Sequence, residues 1–254
     1  MHRPFGRHEL GQNFLVDSTV PASLATVVAG WEPRPLLELG AGDGALTAAL
    51  LELERPLTAI ELDPQRVQSL RHRFGERARV HQGDLVTERL DRPVDVVSNV
   101  PFGLTTPLLR RLLQAPRWSH ALLLLQWEVA RKRAAVGGTT QLTALWWPWF
   151  EFGLRERVPA RAFRPVPAVD GGVLEIARRA GPLVPDTARA DYQRLVTEVF
   201  AGRGRGVVDV VARRSGRPVA HLWARELGLS GRALARDLDA TAWARLYRLT
   251  HGSG

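Results

Sequence analysis

The chain contains no cysteine, a single methionine and a single lysine, Lys132. Without cysteine there is no disulfide, no thiol nucleophile and no zinc-thiolate site, and nothing calls for an oxidising compartment. The histidines show no H-E-x-x-H or comparable spacing, so no metal site is expected. Ser119 and Ser215 lack the glycine-flanked context of a nucleophilic serine. No apolar run is long enough to span a bilayer, because Leu122–Leu125 is cut short by Gln126 and Glu128. The amino terminus carries charges together with Pro4 and Gly6 and has no apolar signal core. These absences lead us to expect a soluble cytoplasmic protein free of the membrane; a monomer is expected separately.

Positive charge, by contrast, is plentiful. The formal net charge is +9 and the isoelectric point near 11.3, which attracts phosphates and fits an RNA partner. The cations are almost all arginine in a chain rich in Ala, Gly and Pro, a pattern that a GC-rich genome also produces. The sign of the charge is therefore informative and the Arg-to-Lys ratio is not. Basic clusters occur at Arg110-Arg111 with Arg117, at Arg131-Lys132-Arg133, from Arg155 through Arg157 and Arg161 to Arg164, at Arg203-Gly204-Arg205 and at Arg213-Arg214. Each taken singly reads as a solvated face. The group from Arg131 to Arg164 is favoured as an RNA track because it flanks the motifs described next.

The apolar run Val94–Ser98 closes on Asn99-Val100-Pro101-Phe102. A polar-apolar-Pro-aromatic turn at the exit of a buried strand suits a flat heterocycle with an exocyclic amine. Such an amine is a poor nucleophile because its lone pair is delocalised into the ring. Two acceptors, the Asn99 side-chain oxygen and a nearby carbonyl such as that of Val100, favour a pyramidal nitrogen. Pro101 stiffens the turn and Phe102 offers a stacking face. Asn and Pro are also ordinary turn residues, so the motif alone is equally a punctuation mark.

Upstream, Pro35–Leu39 reads as a buried strand entering Gly40-Ala41-Gly42-Asp43-Gly44, followed by a helix over Ala45–Leu53. The spacing is G-x-G-x-G, neither the dinucleotide fingerprint nor a phosphate-binding loop. Gly40 is the expected point of close backbone approach. The next strand, Leu57–Glu61, ends in a carboxylate about 20 residues on, the distance at which an acid binds ribose hydroxyls. Asp63-Pro64 then caps a helix. A third strand near Arg79–Gln82 delivers Asp84, placed to accept from an adenine amino group. Ribose and adenine contacts without a phosphate cradle point to S-adenosylmethionine. Glu61 or Asp84 alone would read as a solvated loop acid; their succession at consecutive strand ends is what carries the argument.

Strands near 36–40, 57–61, 78–82, 94–98 and 120–126 alternate with helical segments, the pattern of a doubly wound α/β sheet. Val173–Ala177 supplies a further strand. Beyond a linker at Ala180–Asp186 the spacing predicts helices over Thr187–Phe200, Val219–Leu227, Gly231–Leu238 and Ala240–Leu249, with Ser230 and Asp239 as N-caps. Residues 1–180 are thus expected to form a Rossmann-like domain that binds S-adenosylmethionine, and 181–254 a small all-helical domain. Trp146-Trp147-Pro148-Trp149-Phe150 is expected in a core, packing a helix or strand against the sheet.

These motifs, in this order and spacing, resemble the rRNA adenine-N6 methyltransferases, which include the erythromycin-resistance (Erm) methylases and the housekeeping small-subunit dimethyladenosine transferases. The resemblance covers most of the chain, from Gly11-Gln12-Asn13-Phe14-Leu15 to Arg161–Asp170. It implies that Asn13 and Leu15 line the methionine end of the cofactor, that Gly40 touches it by its backbone, and that Glu61 holds the ribose. Asp84 would read the cofactor adenine, Asn99 would touch both cofactor and target amine, and Phe102 would stack on the extruded base with Phe163 as a second face. Phe102 departs from the tyrosine common at this position, which keeps the π-face and loses a phenol. The resemblance also makes the added strand antiparallel. It favours 23S rRNA as substrate, with macrolide-lincosamide-streptogramin B resistance as the outcome. The alternatives are 16S rRNA dimethylation in subunit assembly and a non-catalytic RNA- or DNA-binding factor.

Overall fold

Short apolar runs buried on both faces make the centre of the molecule. The computed structural model describes residues 13–252; Gly11, Gln12 and the amino-terminal Pro4 and Gly6 lie outside the described residues. In chain order come β1 (Phe14–Leu15), α1 (Thr19–Ala29), β2 (Leu36–Leu39), α2 (Ala45–Leu51), β3 (Leu57–Glu61), α3 (Pro64–Phe74), β4 (Arg79–Gln82), β5 (Val94–Asn99), α4 (Thr105–Gln114), β6 (Trp118–Gln126) and α5 (Trp127–Arg133). There follow α6 (Gln141–Trp146), β7 (Phe150–Val158), β8 (Phe163–Arg164), β9 (Gly171–Arg178), α7 (Arg189–Ala201), α8 (Val207–Ser215), α9 (Arg217–Glu226) and α10 (Ala240–His251).

The main sheet has the order β4-β3-β2-β5-β6-β9-β7. Strands β4, β3, β2, β5 and β6 are parallel to one another, and β9 joins β6 antiparallel, with Leu122 opposite Glu175 and Leu124 opposite Val173. All four residues of β2 are buried, as a parallel strand covered on both faces requires. The chain runs outward from β2 to β4 and then returns to place β5 on the other side of β2. That reversal opens a crevice beyond the carboxyl ends of β2 and β5, where α/β sheets take ligands. Gly40 follows β2 directly and Asn99 ends β5, so both expected contact points sit at the reversal.

Helix α3 begins as its sequence dictates: the Asp63 side chain accepts the Gln65 N–H at 2.9 Å, with proline in the first turn. Its Leu70 and Phe74 pack beneath the glycine-rich turn. Gly44 there has φ +80°, and a Cβ would lie 2.7 Å from Leu70 and 2.8 Å from Phe74. We therefore expect Gly44→Ala to destabilise the protein by about 1–3 kcal/mol, combining a left-handed backbone with an overpacked contact. A lower urea midpoint would register this, and an unchanged one would remove the packing argument.

By contacts the chain forms two compact units: one holds the chain up to Ala130 with Gly153–Ala177, the other Arg131–Phe152 with the chain from Arg178 onward. The chain passes between the units after Ala130, after Phe152 and after Ala177, so residues 131–152 pack with the carboxyl-terminal unit. The reason is aromatic. Trp149 meets Tyr192 of α7 edge-on at 5.4 Å, and the Tyr192 hydroxyl donates to the Ala144 carbonyl at 2.8 Å. The Trp146–Phe150 segment is core as expected, with Trp146, Trp149 and Phe150 buried, yet its rings pack within this second unit. Asp239 caps α10 through the Ala242 N–H at 2.7 Å. The expected helix at Gly231–Leu238 is absent: only a short 3-10 turn forms at Ala235–Asp237, and Ser230 caps nothing. Gly206 packs so closely on this stretch that a Cβ there would lie 2.5 Å from the Gly231 carbonyl oxygen, which fixes the Gly231 backbone in a turn.

Candidate active site

The crevice is an open pocket of about 860 Å³, solvent at its mouth included. Among the described residues Asn13, Leu15, Gly40, Glu61, Asp84, Asn99 and Phe102 all line it, so seven of the residues singled out from sequence converge there. They arrive from the β1 segment and from the ends of β2, β3, β4 and β5. Gly40 has φ +77° and its N–H bonds the Ile60 carbonyl, which turns the chain sharply at the end of β2.

Glu61 is buried at the end of β3, and its carboxylate is held by the backbone. Oε2 accepts from Gly42 N–H at 2.8 Å, and Oε1 accepts from Leu62 and Asp63 N–H at 3.0 Å each. Three amides thus fix the rotamer, while Oε2 keeps a second lone pair for a hydroxyl. Asp84 is exposed at the rim, with Oδ1 accepting the Val86 N–H at 2.8 Å. The Asn99 amide is oriented by the chain itself: Nδ2 donates to the Asn13 carbonyl at 2.9 Å, which leaves Oδ1 as the acceptor. Pro101 opens a short 3-10 turn over Phe102–Leu104, closed by Leu104 N–H to the Pro101 carbonyl at 2.8 Å.

Phe163 does not belong to this set. Its ring is fully buried in the core, near the backbone of Gly171 and shut off from any base, so the expectation that it sandwiches the target is corrected. What Phe163 does is pair with Leu15 across the two-stranded β1-β8 ribbon. None of the basic residues proposed for RNA lines the pocket. Arg131, Lys132 and Arg133 form the last turn of α5, and Arg133 Nη1 donates to Thr140 Oγ1 at 2.7 Å. Arg161 and Arg164 are exposed beside β8, with Arg164 Nη1 donating to the Phe163 carbonyl at 2.9 Å.

Sequence reasoning missed Glu38. This carboxyl lies in the middle of β2, is buried, lines the pocket and accepts from the Thr47 hydroxyl at 2.6 Å. Burial pushes it up to about 8; the Thr47 bond opposes that shift and the neighbouring Glu61 adds to it. An acid inside the run Leu36-Leu37-Glu38-Leu39 was the available signal.

The lining matches S-adenosylmethionine on its own chemistry. A buried acceptor at the β3 end suits a diol, Leu62 and Leu85 flank it with apolar surface, and no lysine or arginine among the described lining residues offers a phosphate clamp. The sequence profile of the family described as ribosomal RNA adenine dimethylase matches residues 5–251. The chain belongs to this family. It is 53% identical over 247 residues to the mycinamicin-resistance protein MyrB of Micromonospora griseorubida, covering 96% of this chain and 79% of that protein. The crystal structure of the 23S rRNA methyltransferase ErmE superposes with a TM-score of 0.86 at 32% identity, over 94% of this chain and 99% of that one. A ribosomal RNA small subunit methyltransferase A of Geobacter sulfurreducens is 37% identical over 212 residues, 78% of this chain and 76% of its own. The methyltransferase thus uses S-adenosylmethionine, and its likeness to MyrB and ErmE places it in the Erm branch. No helix among its described residues is long and apolar enough to cross a membrane.

Proposed function

We propose that this methyltransferase acts in the cytoplasm, as a monomer, on N6 of one adenine in 23S rRNA, and that the added methyl groups obstruct macrolide, lincosamide and streptogramin B binding. The observation that carries the chemistry is the Asn99 amide, tied through Nδ2 to the Asn13 carbonyl so that Oδ1 is presented as an acceptor. Likeness to a mycinamicin-resistance protein and to a 23S rRNA methyltransferase supports the choice of substrate.

When bound, S-adenosylmethionine supplies an electrophilic methyl group on a sulfonium sulfur. Glu61 accepts from the ribose, Asp84 reads the cofactor adenine, and the Gly40 backbone, Asn13 and Leu15 bound the methionine end. Asn99 Oδ1 accepts one N–H of the target amine and the Val100 carbonyl the other, which localises the lone pair on N6. Phe102 stacks on the extruded base, since a paired adenine cannot present N6. The proton leaves N6 for water once the nitrogen is alkylated. Arg131, Lys132, Arg133, Arg161 and Arg164 hold RNA phosphates.

Methyl transfer from labelled cofactor to protein-free large-subunit rRNA and to immature small subunits, mapped by primer extension, tests this directly. Label on an exit-tunnel adenine of the large-subunit RNA is the expected result. Label confined to small subunits would transfer the assignment to the housekeeping reaction, which the likeness to the small-subunit enzyme favours as the second reading.

A further inference from the structure

One wall of the pocket is thin. Asn13, Phe14 and Leu15 line it, yet they belong to no part of the main sheet. Their backbone is held by the two-residue pairing of β1 with β8, by Val16 N–H to the Ala162 carbonyl at 2.9 Å, and by the Asn99 amide. So short a strand holds weakly, which throws weight onto the side-chain anchor. That anchor is Phe14. Its ring lies on the glycine-rich turn, where a Cβ at Gly42 would come within 3.2 Å of two ring carbons. The guanidinium of Arg66 sits 4.1 Å from the ring centroid.

Arg66 also ties the turn itself. Its Nε lies 3.4 Å from Asp43 Oδ1 and 3.9 Å from Asp63 Oδ2. Three further residues of α3 brace the same turn: Leu70 and Phe74 fill the space at Gly44, and Arg73 Nη1 donates to the Asp43 carbonyl at 3.0 Å. Positions 66, 70, 73 and 74 share one helical face. Of these four, Arg66, at the first turn, reaches past the loop to the wall.

We propose that Arg66 is a positioning residue that latches the Asn13–Leu15 wall onto the glycine-rich turn and thereby sets how fast the cofactor and its demethylated product leave the pocket. This rests on reading the pocket as the cofactor site. A planar cation on an aromatic face, one-quarter exposed, changes such a rate several-fold rather than by orders of magnitude.

The test is stopped-flow dissociation of S-adenosylhomocysteine from the full chain. Arg66→Gln and Phe14→Leu should each raise the dissociation rate about two- to fivefold, and the double variant should be no faster than the faster single variant. Arg66→Lys keeps the charge beside Asp43 without the planar face and should resemble Arg66→Gln. Unchanged rates, a double variant showing the product of the two effects, or a wild-type rate in Arg66→Lys would each overturn the latch. A second arm needs no ligand: the Val16 amide of Arg66→Gln should exchange hydrogen several-fold faster than in the parent, and equal exchange would also overturn it. Failure of the parent to bind S-adenosylhomocysteine would remove the cofactor reading, while the exchange arm would still decide the latch.

Discussion

Asn99→Ala is expected to lower the rate of methyl transfer about 1,000-fold or more while the protein stays folded. Asn99 keeps its place in the β5-β6 ladder opposite Leu124 through backbone atoms alone, so the sheet does not depend on the side chain. What the variant loses is an acceptor aimed at the reacting amine. Asn99→Asp sharpens the argument. In the parent, Nδ2 donates to the Asn13 carbonyl; an aspartate would set a carboxylate oxygen against that carbonyl instead. Protonated aspartic acid restores a donor. The pH profile of kcat/KM for Asn99→Asp should therefore rise as pH falls through the range where this acid takes up its proton. Near-parental activity at high pH, with no rise on acidification, would show that the bond to Asn13 does not orient the amide.

Much of this site was legible because it is built at strand ends. Parallel strands buried on both faces read as apolar runs, so Leu36–Leu39, Leu57–Glu61 and Val94–Asn99 could be placed closely, and the residues following them fell into one crevice by topology alone. What was not legible depends on contacts between distant parts of the chain. Phe163, in a proline-rich stretch, reads as an exposed aromatic; only its pairing with Leu15 and its burial in the core reveal a structural role. The segment 131–152 lies between two stretches of the sheet unit in sequence but joins the carboxyl-terminal unit through Tyr192, which no local pattern announces. At Gly231–Leu238 the apolar spacing was helical, yet Leu234 is exposed and close packing with Gly206 holds the backbone in turns. Nothing in the sequence links Arg66 to Phe14, 52 positions away; only the fold sets its guanidinium over that ring.

Glu38→Gln should stabilise the protein at neutral pH, by about 3 kcal/mol at pH 7. Folding moves this carboxyl from its ordinary 4.5 up to about 8, chiefly by burial. Between those values the native state binds the proton more tightly than the unfolded chain does, so the stability of the parent falls as pH rises from about 4.5 to about 8. Glutamine is neutral throughout and keeps an oxygen to accept the Thr47 hydroxyl. The gain should accordingly vanish near pH 4, grow through neutrality and level off above pH 8, as followed by urea unfolding. A gain independent of pH would show that packing rather than ionisation is responsible. The same residue makes a second demand on the pocket it lines. A neutral acid there is ready to ionise against a cationic ligand, because a positive charge alongside favours the carboxylate. Binding of S-adenosylmethionine, which carries the sulfonium charge, should then release more protons near pH 7 than binding of S-adenosylhomocysteine, which does not. Calorimetric titration in buffers of different ionisation enthalpy measures that difference. Its disappearance in Glu38→Gln would assign the proton to Glu38, whereas an unchanged difference would place it elsewhere and leave the buried acid as a cost to stability alone.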